Sequence, residues 1–472
     1  MMKDLTISRR ALLAGLAATP ALAMLPGRAM AASGTIRIVM KDLLTSNPED
    51  VAHVARIEEA LAARGHDIKI EIIDLPSEGY AEKLNLMLLS GDVPDIIYFQ
   101  GGDEQIAQQG VLMDLNPLIA KTEHLSKALW PHNTARLGNY PHLLYVYPAR
   151  TKAPVMRKDL LEATGLSAPT SLEEWDALLR AIPGTEIGGK AVKHGIIAPN
   201  NTAELDAIFD PAFGIEQTWM KNADGELIHS RISEGERAKL AWYASLFADG
   251  VLDPEFITSN WEVKEDKFYT GQVGVVMGTA GPVVGIYEAK MAQVNPGAEL
   301  VLLTPPAGIQ AVDVSKESRG FAIPVTTKKT DAIMAFFDFV ASPEGQMMER
   351  LGFEGEHYTR EGDTLTATDK LGAWYPRFIY ANPNYHQPPL SPLSPLAQSA
   401  LQQGVDFFRA DNTFVWSPEL AAAVDGAETY YRTNVFRFVS GELSTENDWD
   451  AFVAGWLAAG GQAMTDHART VM

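Results

Sequence analysis

The stretch Ser90-Gly91-Asp92-Val93-Pro94-Asp95-Ile96-Ile97-Tyr98-Phe99 decides the fold. Gly91 stops what precedes it, Asp92-Val93-Pro94-Asp95 turns the chain, and an uninterrupted apolar run follows. A run this short, bounded by turn residues, predicts a strand buried on both faces, as strands of parallel sheets are. Working outward, Tyr80, Leu84, Met87 and Leu88 recur at helical spacing just before Gly91. Ile68, Ile70 and Ile72 alternate along an earlier strand, and Ile36, Ile38 and Met40 along the first. Between those two, Asn47 can cap a helix, Pro48 suits its first position, and Val51, Val54, Ile57 and Leu61 line one face up to Gly65. The order strand, helix, strand, helix, strand at short spacing predicts an open α/β sheet.

Further along, Thr170 with Glu173, and Ser233 with Glu236, read as capping boxes for two more helices. Asp331 to Val340 is a strongly apolar helix, and Ser342-Pro343 starts the next. Residues 381–398 hold five prolines, interleaved with Tyr385 and several leucines, and read as an ordered loop or crossover. No internal repeat is visible, and the length favours two or three domains.

At the start, Ser8-Arg9-Arg10 abuts an uncharged apolar run that ends near Ala29-Met30-Ala31. A basic start, an apolar middle and a small-residue exit form an export signal over residues 1–31, and the paired arginines suggest the twin-arginine route. The apolar run, broken by Pro20, is too short to span a bilayer core of about 30 Å. The chain has no cysteine, so neither disulfides nor a lipidated N-terminal Cys are available. A soluble, periplasmic product is expected. Lys3, Arg9, Arg10 and Arg28 leave with the signal against Asp4 alone, so the formal charge of −21 becomes −24. Such a charge repels phosphate backbones and anionic membranes and argues against a nucleic-acid or membrane-surface role.

Catalytic signatures are scarce. The closest of ten histidines, His124 and His132, are eight residues apart, too far for a helical zinc pair. No nucleophile elbow, phosphate-binding loop or dinucleotide fingerprint occurs. Asn222-Ala223-Asp224-Gly225-Glu226 hints at a calcium loop, but Arg231 would stand at its twelfth position, so Asp224-Gly225 reads as a hairpin turn. No metal or cofactor is expected. Carboxylates are abundant, and a glycosidase pair has no local signature. Trp175, Trp242, Trp449 and Trp456 fall in helical patterns. Trp130, Trp219, Trp261, Trp374 and Trp416 lie near loop or strand-end signals, where an indole can offer a flat face to a sugar, although packing is the leading reading for any one of them. Trp374-Tyr375-Pro376-Arg377 is the preferred ligand candidate, with two aromatics beside a fixed turn and a cation.

The chain resembles family 1 of the extracellular solute-binding proteins of bacterial ABC transporters, particularly the alginate-binding and LipO-like subgroup. The resemblance rests on segments in order over nearly the whole mature chain. They are Tyr80-Ala81-Glu82-Lys83-Leu84 through Asp95-Ile96, Met156-Arg157-Lys158-Asp159-Leu160-Leu161, 246–256, 268–274, Ser342-Pro343-Glu344-Gly345-Gln346 and Gly352-Phe353-Glu354-Gly355-Glu356-His357-Tyr358-Thr359. The missing lipid-anchor cysteine departs from LipO-like members, and the missing calcium loop from alginate binders.

The resemblance implies an α/β, two-lobed periplasmic-binding-protein fold, type II-like, with a hinge and an interlobe cleft. Lobe one would comprise 32–149 and about 305–380, lobe two 150–304 and about 381–472. It also implies a monomeric receptor, not an enzyme, that hands a carbohydrate to inner-membrane permease subunits. Open sheets bind ligands beyond the carboxyl ends of their strands. The candidates are Lys41, Asp42, Gln100 and Arg150, then Asn200, Asn201 and Thr279, together with Trp374 and Tyr375. Asp95 and Asp159 read as structural. The competing readings are an exported polysaccharide-degrading enzyme and, less favoured, a structural surface protein.

Overall fold

The computed structural model describes residues 31–472, so the expected export signal lies, but for Ala31, outside the described residues. The chain divides into two compact α/β units. The first comprises residues up to Pro148 together with Lys316–Pro392, and the second Ala149–Ser315 with Leu393–Met472. Residues 305–315 thus pack with the second unit and 381–392 with the first.

The first unit is built on a four-stranded sheet. Its strand order is Arg319–Ala322, Ile96–Gln100, Ser33–Val39, Asp67–Ile72. Ser33–Val39 runs parallel to both Asp67–Ile72 and Ile96–Gln100, whereas Arg319–Ala322 closes the edge antiparallel to Ile96–Gln100. Ile96, Ile97, Tyr98 and Phe99 are all buried, as their run predicts. The turn before them is held by Asp95, which accepts from the Arg37 amide at 2.9 Å, the Thr327 hydroxyl at 2.7 Å and the Lys329 ammonium at 2.8 Å.

The helix Pro48–Ala63 starts where expected, with the Asn47 side chain accepting from the Glu49 amide. Its inward stripe is Asp50, Val54, Ile57 and Leu61, with Val51 left 44% exposed. Val51 yields the inner position to a carboxylate because Asp50 pairs with the buried Arg377 guanidinium at 3.1 Å.

The second unit holds another four-stranded sheet, ordered Leu300–Leu302, Lys152–Arg157, Val273–Thr279, His194–Ile196. Val273–Thr279 is buried along nearly its whole length, parallel to His194–Ile196 and antiparallel to Lys152–Arg157. Trp175 and Trp456 anchor the core, and burial of each large apolar side chain there contributes about 1.5–3 kcal/mol. The Trp175 helix begins one residue later than expected. Ser171, not Thr170, is its cap and accepts from the Glu174 amide, while Glu174 accepts from the amide and hydroxyl of Thr170. Ser233 caps its helix as expected.

Asp224-Gly225 sits in the turn joining Trp219–Lys221 to Leu227–His229, where Gly225 has φ 81° and the Asn222 side chain accepts from the amides of Asp224 and Glu226. Among the described residues no helix is long and apolar enough to cross a membrane.

Candidate functional site

Each sheet ends in loops at its carboxyl edge, and backbone strain marks them. Among the described residues two non-glycines have positive φ, Asp42 at 64° and Asn200 at 61°. Asp and Asn tolerate this region better than other side chains, and such conformations cluster where ligands are held. Asp42 follows Ser33–Val39 in the first unit, and Asn200 follows His194–Ile196 in the second.

In the first unit, Lys41 and Asp42 lie 3.8 Å apart, and Asp42 accepts from the Ser77 hydroxyl. Gln100 ends its strand opposite Arg319 in the antiparallel ladder. Tyr375 is half exposed, with the Arg377 guanidinium 4.3 Å from its ring. Burial raises its phenol while Arg377 opposes the shift, and Asp42 is among the acids that add to it, so both candidates share one neighbourhood. Tyr145 and Tyr147 stack at 4.7 Å beside them, and the Tyr147 hydroxyl donates to the Pro376 carbonyl. Burial, with Glu349, Tyr145, Tyr98 and Tyr375 nearby, drives the Tyr147 phenol well above its usual range. The edge is therefore a neutral tyrosine platform flanked by charge.

Trp374 corrects the sequence expectation. It is 4% exposed, and its indole N–H donates to the Glu349 carbonyl at 2.7 Å. Arg377 lies 3.9 Å from the ring centre, and His53, Phe353 and His357 pack against the ring at 5.0–5.5 Å. Gly352 packs so closely that a Cβ there would come within 2.9 Å of the indole. A ring enclosed in this way offers no face to a ligand; Trp374 is a packing residue, and Tyr375 is the exposed member of the motif.

In the second unit, Asn200 donates its amide to the Phe256 carbonyl, and Asn201 accepts from the Ala203 amide as the next helix begins. Thr279 stands opposite Lys152 in the ladder, and Arg150 is exposed two residues before Lys152. These four candidates therefore share one edge.

Sequence reasoning missed what lies among them. Glu204, in the helix Ala203–Phe209, binds Lys152 through one oxygen and Lys264 through the other, both at 2.9 Å. Lys264 is fully buried, donates also to the Met277 carbonyl, and stands 3.6 Å from the ring centre of Trp261. Burial lowers its ammonium pKa, and Glu204 opposes that shift. Trp261 is only half-buried and opens its helix from an Asn260 cap. Of the five loop-side tryptophans, Trp130, Trp219 and Trp374 are buried, whereas Trp261 and Trp416 remain partly open.

The Lys152 backbone is fixed by the buried Gln310 amide, which pairs with both its N–H and its carbonyl at 2.6 Å. Glu204, Lys264 and Gln310 come from three separate segments, and none lies in a local motif. Glu204 and Gln310 hold Lys152, whose side chain is 20% exposed, where it can meet a polar solute beside the aromatic face of Trp261. No group of three or more His, Asp or Glu side chains able to hold a metal occurs among the described residues.

The family described as bacterial extracellular solute-binding protein matches residues 52–347. Lipoprotein LipO of Bacillus subtilis (strain 168) is 21% identical over 356 residues, covering 71% of this chain and 70% of that one. The polygalacturonan/rhamnogalacturonan-binding protein YtcQ of the same organism is 22% identical over 431 residues, 84% of this chain and 83% of the relative. The crystal structure of the alginate-binding protein AlgQ2 without calcium ion superposes with a TM-score of 0.61 at 19% identity, over 92% of this chain and 96% of that one. With both sheets, the strand-edge sites and this match over most of its length, the chain belongs to the bacterial extracellular solute-binding protein family.

Proposed function

We propose that this protein is a non-catalytic, monomeric periplasmic receptor that captures a carbohydrate by closure of its two units and delivers it to inner-membrane ABC permease subunits. The observation that carries this reading is the half-open Trp261 set among Lys152, Glu204 and Lys264 at the carboxyl edge of the second sheet. Sugars present an apolar face of C–H groups and a rim of hydroxyls, so they need a flat aromatic beside fixed donors and acceptors. Tyr145, Tyr147 and Tyr375 supply the same combination in the first unit, beside Lys41, Asp42 and Gln100. The names of two relatives support the class, since YtcQ is described as binding polygalacturonan and rhamnogalacturonan and AlgQ2 as binding alginate.

Trp261→Ala is expected to weaken saccharide binding by about 1–3 kcal/mol, the loss typical of a truncated aromatic anchor. Because the ring is half-buried, the unliganded melting temperature should fall far less than for a core tryptophan. Calorimetric titration and unliganded melting of the variant test this together. Undiminished affinity would remove Trp261 from the site.

A further inference from the structure

The charge at the second unit's edge does not balance. Lys152 and Lys264 share the single carboxylate of Glu204, which is itself buried. The next acid, Glu265, is occupied by Lys290 at 3.1 Å, so it does not make up the deficit. Lys264 is sealed from solvent and Lys152 is 20% exposed, which makes Lys152 the member of the pair that a ligand can reach. An excess cation at a poorly solvated edge is costly unless an anion completes it.

Trp261 carries the same signature. Both ammonium groups lie near its ring, at 3.6 Å for Lys264 and 5.8 Å for Lys152. Cations beside an indole are attracted to its negative face, so the ring helps to hold both ammonium groups at this edge. All this stands in a chain whose formal charge is −21. A local positive edge in a strongly acidic protein is a selective feature, because the rest of the surface repels the ligand that it attracts.

We propose that this edge selects acidic saccharides, with Lys152 pairing with a sugar carboxylate and Glu204 and Gln310 holding Lys152 in place for it. The proposal rests on the reading of the protein as a carbohydrate receptor and adds the charge of the ligand. Lys152 is the selectivity residue. Gln310 is a positioning residue, since it acts on the Lys152 backbone and reaches no ligand itself.

The test titrates the full chain with oligomers of galacturonate, mannuronate and glucuronate, each alongside its methyl ester. The ester keeps the sugar and removes only the charge. The best acid should bind at least about tenfold more tightly than its ester, as expected for one charge-assisted hydrogen bond in a poorly solvated site. That preference should shrink as salt is added. Lys152→Met should reduce the acid-to-ester ratio by about tenfold, and Lys152→Arg should retain most of it. Equal or tighter binding of the esters or of neutral oligosaccharides would overturn the proposal while leaving the carbohydrate receptor intact. An acid preference that survives Lys152→Met would remove Lys152 from the role assigned to it. If no saccharide of either kind binds, the receptor reading itself fails.

Discussion

Trp374→Ala is expected to destabilise the unliganded protein by about 3–5 kcal/mol, the range for removing a fully packed tryptophan, while ligand affinity stays within about twofold. The indole fills a space bounded by Arg377, His53, Phe353 and His357, and its N–H satisfies the Glu349 carbonyl. Truncation leaves a cavity next to charged groups and strips the Arg377 guanidinium of one of its two aromatic neighbours, leaving Tyr375. Unfolding by urea, followed by fluorescence with and without a saturating saccharide, separates stability from binding. A large loss of affinity in a protein of unchanged stability would return Trp374 to the site.

Glu349→Ala should have an equally large effect, about 3–5 kcal/mol, because it leaves the His53 ring N–H and two backbone amides buried without an acceptor, each costing about 1–3 kcal/mol. Glu349 and His53 are both fully buried and hydrogen-bonded to each other, and Glu349 also accepts from the amides of Phe378 at 2.8 Å and Ile379 at 3.3 Å. Arg56 donates to His53 Nδ1, so the ring is neutral and its Nε2–H donates a hydrogen bond to the carboxylate.

Burial alone would raise the Glu349 carboxyl, but His53 and the two amides outweigh it and hold the group below its ordinary value. His53 is lowered mainly by burial. The depressed Glu349 stabilises the fold above the unfolded glutamate value of about 4.3, and that contribution disappears as pH falls through the folded value. Below about 6.5 the unfolded histidine takes up a proton that the folded one resists, so its contribution to stability also declines as pH falls. Both groups act in the same direction. Stability should therefore decrease from pH 7 towards pH 4, and Glu349→Gln should flatten the acid part of that profile. A variant as acid-sensitive as the parent would contradict this assignment.

The fold was largely legible because its signals are local. The alternating isoleucines and the buried run Ile96-Ile97-Tyr98-Phe99 report strand burial directly, and Asn47, Ser233 and Ser342 cap helices through residues three positions away or fewer. Errors arose where a distant partner decided or where two local frames competed. Val51 lost the inner face because Asp50 meets Arg377, more than three hundred residues on. At residues 170–174 two overlapping Ser/Thr-x-x-Glu frames fit equally well, and the Thr170 hydroxyl bound to Glu174 rather than capping the helix.

Strand ends were legible as positions, and Asp42 and Asn200, two of the candidates chosen there, are the two non-glycine residues of positive φ among the described residues. The candidate site was not legible at Lys152, Glu204 and Lys264, which come together only when a strand and two helices pack. Trp374 misled for the same reason: the proximity of Tyr375, Pro376 and Arg377 is visible in the sequence, but the enclosure by His53, Phe353 and His357 is not.

Capture without conversion is the central claim. Its most direct test is to titrate the purified chain with a panel of neutral and acidic oligosaccharides, follow its melting temperature, and then recover each ligand for mass measurement. The account predicts that at least one saccharide raises the melting temperature in a saturable manner, by mass action on the folded state, and is recovered intact. Recovery of shortened or unsaturated products would identify a polysaccharide-degrading enzyme, and the absence of a shift with every saccharide would contradict the assignment to carbohydrates.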